Sequence, residues 1–513
     1  MDIKKVEMLL DNTYIATEEK DGHYVLNDIR IEINDKNQLL VEGNGSSIMK
    51  IKVVFEQTFS DETLILGDAW ERAYGDLSWR AKDEYEIIPW YFCAADHKTT
   101  KCYGIKTSPN ALCSWKFCDD GVAFVADIRS GTLPLELYSE LEVCTFVFEE
   151  YAGDIQEALS KFCMKMCDNP RLPKRQIFGG NDWYCNYGDN SFEKILLHTK
   201  MIVECCKECN EKPYMVIDDG WELCHHQGND YSEYYNGGPW QYSNNNFKDM
   251  GETAHAIESE GAIPGIWFRP LWTVEKFPKE YIIKSDGIRD TLDPSHPKVL
   301  EIVKNDIKNL VNWGYKLIKH DFTSFDIFGQ YGFEMKKDVF LNETMFYDKS
   351  KTTAQIIKGL YGAIREATGE DVIIMGCNTI SHLAAGFFEI QRTGDDTSGL
   401  DFERTKKYGV NTLAFRMCQH KAFYFADADC VGITQDIPWE KNKQWLDVLA
   451  KSGTPLFVSI EENAFSDDVK RDLTAAFKMA AENQTVSKPI DFTENTIPER
   501  WESVYGNNTY RWW

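Results

Sequence analysis

Short apolar runs alternate with amphipathic segments through the longer, second part of the chain. Eight runs are predicted as strands: 176–184, 213–218, 262–268, 315–321, 371–377, 387–392, 421–427 and 455–459. Apolar residues that recur every three to four positions predict helices between them: 192–209, 297–313, 350–367 and 465–482. Alternating strands and helices are typical of a parallel sheet, and eight repeats close a (β/α)8 TIM barrel. We therefore predict an α/β fold with a barrel at 174–485, whose weakest repeat is the short segment 381–385.

The first part of the chain has a different pattern. Residues 1–165 contain β-like runs such as 29–33 and 141–148, separated by Gly, Asn and Asp, which is typical of an antiparallel β-sandwich. A proline-containing linker at 169–173 leads to the barrel. Residues 486–513 predict a short C-terminal β hairpin or tail. The expected order is thus sandwich, barrel and β tail.

The fourth predicted strand ends in charged residues. Tyr315, Leu317 and Ile318 are apolar, but Lys319 and Asp321 follow in the same run. A strand of a parallel sheet is covered by helices on both faces, so charges at its end require a partner or a function. In a barrel the C-terminal strand ends form the rim on which active sites are built. We interpret Asp321 as the nucleophile of a retaining glycosidase, and Lys319 as a neighbour that favours its ionised form.

The second predicted strand runs into Asp218 and Asp219, followed by a glycine turn and Trp221. Paired carboxylates can accept hydrogen bonds from two sugar hydroxyls, and an indole can cover the apolar face of a hexose. Capping of a helix by Asp219 is the alternative interpretation of this pair. The turn predicts that both carboxylates face one ligand.

Strands one and three add aromatic side chains to the same rim. Trp183 ends the first run, and the third run ends in Trp267 and Arg269. The indoles are candidates for packing against a sugar. Arg269 is equally suited to a structural ion pair with Asp219 or Asp321.

The sixth predicted strand leads into a second acidic pair, Asp395 and Asp396, beside Arg392. Glycosidic cleavage requires two carboxyl groups, which lie about 5–5.5 Å apart in retaining enzymes and about 6.5–9.5 Å apart in inverting ones. One strand separates strands four and six, so their rim side chains can meet across the mouth of the barrel. The sequence leaves the distance between them open. The proton donor must keep its proton near neutral pH, which burial beside another carboxylate would promote.

Strand seven adds Asp427 and Asp429, and this many acids raises a second hypothesis, a divalent metal site. Metal-dependent barrels usually combine histidine with carboxylates, and His320 is the neighbouring candidate. His320 alternates away from Asp321 along its strand, so we expect it to pack among helices. No metal and no cofactor are predicted.

Charge and composition limit the partners. The formal net charge is −26, from 56 Lys and Arg against 82 Asp and Glu, which argues against nucleic acid and membranes as partners because both need a basic face. The chain has no run of 18 apolar residues and no apolar N-terminal segment, so we expect a soluble, cytoplasmic protein. The 15 cysteines predict free thiols, since the crowded Cys205, Cys206 and Cys209 pair poorly. The spacing of Cys206 and Cys209 lacks the second pair that a zinc site needs.

Six segments in a fixed order carry a resemblance to a known family: 66–79, 217–221, 265–268, 292–297, 319–322 and 392–396. With them the chain resembles the α-galactosidases of glycoside hydrolase clan D, family 36, which include melibiases and raffinose-synthase-like proteins. The resemblance covers nearly the whole chain.

The resemblance implies a retaining enzyme with Asp321 as nucleophile and Asp395 as acid/base. Asp396 is the alternative acid/base, because an Arg-x-x-x-Asp alignment selects it. The residues expected to bind substrate are Asp218, Asp219, Trp221, Trp267, Lys319, Arg392, Asp396, Cys377, Asn378, Trp183 and Trp70. Trp70 would reach the pocket edge from the β region, either within one chain or across the subunit boundary of a homo-oligomer.

One loop departs from the family pattern, since Cys377, Asn378 and Thr379 replace a Cys-Ser-Gly-Gly-Gly-rich loop after strand five. That loop shapes the region beside the sugar 2-substituent. The expected ligand is a small-molecule or oligosaccharide α-galactoside such as melibiose or raffinose. An α-N-acetylgalactosaminide and galactosyl transfer to a sugar acceptor are the alternatives. A barrel that binds galactosides without turnover is the alternative of another class, and the presence of both candidate acids argues against it.

Overall fold

The first part of the chain consists of antiparallel strands. A computed structural model describes residues 2–11, 13–96, 98–227 and 233–512. One sheet contains, in spatial order, Ile88–Pro89, Leu112–Cys118, Gly121–Asp127, Lys50–Phe55, Ile3–Leu9 and Tyr14–Ala16. A second contains Glu18–Lys20, His23–Leu26, Ile29–Ile33, Gln38–Glu42, Leu141–Ala152, Thr99–Ile105, Phe92–Ala95 and Leu64–Gly67. Leu135–Leu137 and Ser46–Ile48 form a further pair.

The two large sheets pack face to face. Aromatic rings fill the space between them: Phe124 and Phe146, from opposite sheets, lie 4.7 Å apart, and Phe55 and Phe146 lie 5.5 Å apart. Alternation along strand Lys50–Phe55 explains this packing, because Ile51 and Val53 are fully buried while Lys50 and Lys52, which alternate with them, are partly exposed. The predicted antiparallel sandwich is confirmed.

A closed ring of parallel strands follows. The first six are Phe178–Asn181, Tyr214–Ile217, Ile263–Phe268, Leu317–His320, Ile373–Gly376 and Ile390–Arg392. The seventh is split into Phe425–Asp427, which pairs with the sixth, and Cys430–Ile433, which pairs with the eighth, Leu456–Ile460. The eighth pairs with the first. Only two residues separate the halves of strand seven, so this strand joins strands six and eight and closes the barrel. The predicted fold class is confirmed.

Helices cover the outside of the barrel. The longer ones are Phe192–Cys205, Met250–Glu260, Pro297–Asn312, Thr323–Phe328, Thr353–Thr368, Asn411–Arg416, Trp439–Ser452 and Asp467–Glu482. Ile155–Met166 packs against sandwich strands Thr99–Ile105 and Leu141–Ala152. Trp183–Asn186, Ser381–Ala384 and Phe402–Arg404 are single turns. The sequence pattern did not predict Met250–Glu260 or Trp439–Ser452, whereas the weak repeat between strands five and six is indeed one turn.

Small sheets complete the fold. One is formed by Trp272–Thr273, Asp290–Leu292 and Ile282–Ser285, and one by Lys488–Pro489, Arg500–Ser503 and Gly506–Thr509. The last two strands are the predicted C-terminal hairpin, joined by a two-residue turn before Gly506. All 15 cysteines are free thiols, as expected. Within the described ranges, no helix is both long and apolar enough to cross a membrane.

Candidate active site

Asp321 directly follows the fourth barrel strand and is 7% exposed. Three N–H groups bind its carboxylate. The backbone amides of Phe322 and Asn378 donate to Oδ1 over 2.7 and 3.1 Å, and the Trp267 indole donates to Oδ2 over 3.1 Å. These bonds stabilise a negative charge and fix the orientation of the carboxylate. Phe322 has a left-handed φ of 60°, a costly backbone conformation that recurs at functional sites.

Lys319 pairs with Asp218 across the barrel. Its Nζ lies 2.7 Å from Asp218 Oδ2, and Asn181 Nδ2 donates to the same oxygen over 2.5 Å. Burial acts to lower the pKa of Lys319, but the charge of Asp218, followed by Cys377 and Asp321, raises it well above its usual range. Lys319 therefore stays an ammonium. Its ion-pair partner is Asp218, and the charge of Asp321 also acts on it.

Asp219 takes a different direction from its neighbour Asp218. The Tyr234 hydroxyl and Asn236 Nδ2 donate to Asp219 Oδ2, the latter over 3.0 Å, and His225 Nδ1 lies 3.3 Å from Oδ1. The two adjacent carboxylates thus have separate partners. Helix capping by Asp219, the alternative interpretation, is not what the structure shows.

One group among the described residues could hold a metal ion: the ligand atoms of Asp219, Glu222 and His225 all lie within 4.8 Å of one another. His225 Nδ1 also contacts Glu222 Oε1 over 3.0 Å. Burial and the charge of Asp219 raise the pKa of Glu222 to about 8. Burial acts to lower the pKa of His225, but the two carboxyl groups raise it to about 10. At neutral pH Glu222 is therefore largely protonated, and the charges of ionised Asp219 and protonated His225 balance each other.

A segment of the β-sandwich enters the mouth of the barrel. The Ala73 amide donates to the Thr393 carbonyl over 2.8 Å, and the Asp395 amide donates to the Ala73 carbonyl over 2.9 Å. This bridge joins the segment to the loop that follows strand six. It places two charged side chains, Glu71 and Arg72, inside the candidate site. Both are neighbours of Trp70, for which the resemblance implies a position at the pocket edge, but the sequence assigns neither of them a role of its own.

Glu71 is fully buried and bound from four sides. The Tyr74 hydroxyl donates over 2.5 Å and the Gly332 amide over 2.9 Å, while the Ser324 hydroxyl and Asn378 Nδ2 donate to the other oxygen. The side chain of Asn378 is therefore occupied by Glu71, and its backbone amide by Asp321. Glu71 holds the loop after strand five in place beneath the candidate nucleophile.

Arg72 contacts both acids of strand six. Its Nη2 lies 2.9 Å from Asp395 Oδ1, and its Nη1 lies 3.3 Å from Asp396 Oδ1. The same Nη1 donates to Cys377 Sγ over 3.6 Å. Arg404 lies 3.4 Å from the second oxygen of Asp395. One guanidinium from the sandwich thus links the loops that follow strands five and six.

Arg392 pairs with Asp396 and Asp429 and is 1% exposed. Its Nη2 lies 2.9 Å from Asp429 Oδ2 and 3.1 Å from Asp396 Oδ1, and its Nη1 donates to Cys377 Sγ over 3.6 Å. Burial acts to raise the pKa of Asp396, but Arg72 and Arg392 lower it to about 2. Asp396 therefore carries a negative charge at any pH at which the protein would be assayed.

The centre of the barrel is charged and tightly packed. A cavity of about 10 Å³ lies among Asn181, Lys319, Arg392, Asp427 and Asp429. This volume is at most that of one water molecule. Burial, opposed by Arg392, raises the pKa of Asp427 to about 6.

The raised pKa of Asp427 predicts a pH-dependent stability. Its ordinary pKa is 3.8, so between pH 3.8 and about 6 the folded chain binds a proton that the unfolded chain has lost. The contribution to stability is full below pH 3.8 and is lost as the pH rises through 6, by about 3 kcal/mol. Relative to the wild type, the free energy of unfolding of Asp427→Asn should rise by about 3 kcal/mol between pH 4 and pH 7. Denaturant unfolding at both pH values measures this difference. An equal pH dependence of both proteins would contradict this assignment.

The predicted tryptophans separate into two groups. Trp267 binds Asp321, and Trp183 is half-buried just after the first strand, with its amide hydrogen-bonded to Asn181 Oδ1. Trp221, in contrast, is 0% exposed, and its indole donates to the Trp267 carbonyl over 3.0 Å. The structure does not bring Trp221 to the mouth, because its ring packs beneath the rim, 5.6 Å from Trp240.

Trp70 lies behind the mouth, 4% exposed. Its indole donates to the Met335 carbonyl over 3.3 Å and packs edge-on against Trp90 at 5.0 Å. The segment that carries Trp70 and Arg72 thus enters the barrel of its own chain, and a second subunit is not needed to deliver it.

Two further residues near the rim are structural. Arg269 does not pair with Asp219 or Asp321, as we had suggested, but with Asp326, through contacts of 2.5 and 3.1 Å. His320 is fully buried, and its Nε2 contacts the Thr323 hydroxyl. Burial lowers the pKa of His320 to about 3, so it packs as a neutral ring, as expected.

The fold is shared with known α-galactosidases. No protein-family model matches the chain. An α-galactosidase from Thermus thermophilus in complex with p-nitrophenyl α-D-galactopyranoside matches 95% of this chain and 99% of its own, with a TM-score of 0.60 and 12% identity. The family 36 α-galactosidase AgaA from Geobacillus stearothermophilus, in complex with 1-deoxygalactonojirimycin, matches 98% of this chain and 77% of its own (TM-score 0.59, 12% identity). The galactosidase domain of an α-galactosidase–sucrose kinase matches 94% and 69% (TM-score 0.59, 16% identity). The chain has the fold of the family 36 α-galactosidases, as the resemblance implied.

Proposed function

We propose that this protein is a retaining glycoside hydrolase that cleaves terminal α-galactosides, with Asp321 as its nucleophile. The observation that carries the proposal is the carboxylate of Asp321 at a strand end of the barrel, held by three N–H donors. Two further acids on strand six lie in the same charged network. The shared fold of an enzyme whose structure contains p-nitrophenyl α-D-galactopyranoside supports the choice of sugar.

The reaction proceeds in two displacements. Asp321 attacks the anomeric carbon, the bond to the leaving oxygen breaks, and a glycosyl ester forms on Asp321. The acid/base gives its proton to the leaving oxygen, so the aglycone departs as an alcohol. Water then loses a proton to the same residue and attacks the anomeric carbon, which releases galactose with retained configuration and regenerates both carboxyl groups.

We assign the acid/base role to Asp395 rather than Asp396. A proton donor must hold a proton in the Michaelis complex, and Asp396 keeps its charge because Arg72 and Arg392 lower its pKa to about 2. Asp395 shares Arg72 but has no contact with Arg392 among the hydrogen bonds and ion pairs of the described residues. Asp396 then acts as an anchor between the two arginines.

Sugar hydroxyls in this proposal meet Asp218, Lys319 and Asp219 at the ends of strands two and four. Trp183 offers apolar surface, whereas Trp267 is 1% exposed and acts through its indole bond to Asp321. Cys377 and Asn378 lie beside the 2-substituent, and Arg392 supports the pocket wall. Free thiols at all 15 cysteines support a reducing, cytoplasmic location.

Hydrolysis of p-nitrophenyl α-galactoside beside p-nitrophenyl α-N-acetylgalactosaminide tests the function, with EDTA in a parallel series. We expect turnover of the galactoside that EDTA does not change. Preference for the N-acetyl substrate would make the enzyme an α-N-acetylgalactosaminidase, and faster release when a sugar acceptor is added would show transfer. No turnover of either substrate would support a galactoside-binding protein, and loss with EDTA would point to the group of Asp219, Glu222 and His225.

Arg72 should hold the two acids of strand six in place. Its guanidinium contacts Asp395 over 2.9 Å and Asp396 over 3.3 Å, so Arg72→Gln should lower kcat/KM for melibiose by about 10–10²-fold. Arg72→Lys keeps the charge but has only one nitrogen for the two acids, so its loss should be smaller than that of Arg72→Gln. A kcat/KM in Arg72→Gln equal to that of the wild type would contradict this positioning role.

A further inference from the structure

A groove runs along the outer face of the β-sandwich, where it meets the loop that follows barrel strand four. Its volume is about 720 Å³, within the range of ligand sites. Strands Lys50–Phe55, Leu112–Cys118 and Gly121–Asp127 form its floor, and residues 335–339 form one wall. We name it the lysine groove, for Lys50, Lys52, Lys116, Lys336 and Lys337 that line it.

These lysines are unusual on a chain with a net charge of −26. Lys116, Lys336 and Lys337 are exposed, and their ammonium groups have no hydrogen bond or ion pair within the described residues. Lys50 and Lys52 are partly buried and pair with carboxylates at 3.2 and 2.8 Å. Three unpaired cations therefore converge on one concave surface of an acidic protein, which concentrates positive potential there.

The rest of the lining limits the kind of anion. Glu86, Asp127 and Asp338 lie in the same groove and would repel any anionic group of a ligand that reaches them. Carboxylates are, however, good acceptors for sugar hydroxyls. The Tyr14 ring, 5.2 Å from Lys52 Nζ, and the Tyr85 ring add aromatic surface. A ligand with both anionic groups and hydroxyl donors fits this mixture.

The groove continues toward the candidate active site. A smaller cavity of about 140 Å³ shares Trp70, Tyr85 and Met335 with it and extends to Tyr74. The Tyr74 hydroxyl binds Glu71, which in turn binds Asn378 beside Asp321. A single segment of chain thus lines the groove at one end and the barrel mouth at the other.

From this arrangement we infer a second binding site: the lysine groove binds an acidic saccharide, a chain that carries uronic acid carboxylates or sulfate esters. The site is separate from the proposed catalytic pocket. It would hold an acidic glycan while the barrel mouth acts on a terminal sugar.

Binding of tetragalacturonic acid to the full chain, measured by titration calorimetry at low salt, tests this inference. We expect saturable binding that weakens with added salt, and at least about tenfold weaker binding of the uncharged maltotetraose. The triple variant Lys116→Glu, Lys336→Glu and Lys337→Glu should lose at least about tenfold in affinity. The control carries the same charge change at exposed lysines outside the groove, Lys207→Glu, Lys212→Glu and Lys349→Glu, and should bind like the wild type.

An equal loss of affinity in both triple variants would show that only net charge matters, and would contradict a binding site in the groove. Unchanged affinity in the variant of Lys116, Lys336 and Lys337 would also contradict it. Tighter binding of a single-stranded RNA of matched charge would also overturn it. A sulfated tetrasaccharide in a parallel titration distinguishes sulfate esters from carboxylates. Since binding is measured without turnover, the result is independent of the proposed hydrolase activity. Hydrolysis of p-nitrophenyl α-galactoside should be unchanged in both triple variants.

Discussion

Asp321→Asn is expected to lower turnover of p-nitrophenyl α-galactoside by at least about 10³-fold while the protein stays folded. An amide of the same shape cannot form the glycosyl ester. Its oxygen can keep the two backbone bonds from Phe322 and Asn378, so the loss is confined to the bond from the Trp267 indole. That loss should cost about 1 kcal/mol of stability, which thermal unfolding would detect as a small decrease in Tm.

Asp306→Asn is a matched control for this variant. Asp306 is also buried, but it lies on the outer helix Pro297–Asn312 and accepts a hydrogen bond from Gln241. Burial raises its pKa to about 8, so at neutral pH it already holds a proton and the amide resembles it closely. The control should retain full activity. Substantial activity in Asp321→Asn would remove Asp321 from its role.

Asp395→Ala should slow hydrolysis most where the leaving group is poor. A donated proton matters little for p-nitrophenolate but is required for a sugar alcohol, so melibiose turnover should fall by about 10²–10⁴-fold and the first step on the aryl substrate much less. Azide is small enough to enter the space left by the side chain and does not need a general base. It should therefore restore turnover of the aryl galactoside and yield galactosyl azide.

Asp396→Ala separates the two acids of strand six. Asp396 lies between Arg72 and Arg392, so its loss should disturb the pocket for every substrate alike, without rescue by azide. Azide rescue in Asp396→Ala, and its absence in Asp395→Ala, would show that the roles are reversed.

The positions of the charged strand ends could be predicted from sequence because the barrel repeats set them. Apolar strands that end in charges locate Asp321, Lys319 and Asp218 at one rim, and the structure brings all three into one network. The pleat of a strand also separates His320 from Asp321, so its burial follows from the same pattern. Strand periodicity thus predicts both which side chains lie at the rim and which are buried behind it.

The partners of these charges could not be predicted, because they depend on packing between distant segments. Arg72 reaches Asp396 from 324 positions away, and Glu71 reaches Asn378 from 307. Hydrophobic patterning predicts which face of its own strand or helix a side chain lies on. It does not predict which distant loop contacts that side chain. Trp221 shows the same limit, because the turn that carries it places the indole beneath the rim.

Trapping of a covalent intermediate tests the central claim most directly. Incubation with 5-fluoro-α-galactosyl fluoride supplies a good leaving group, while the fluorine at C5 slows hydrolysis of the ester. Mass spectrometry of the intact protein and of its peptides should then show one sugar adduct, on the peptide that contains Asp321 and absent from Asp321→Asn. Turnover of p-nitrophenyl α-galactoside that leaves no adduct and releases β-galactose first would contradict the account, because the enzyme would then invert configuration without a nucleophile on the protein.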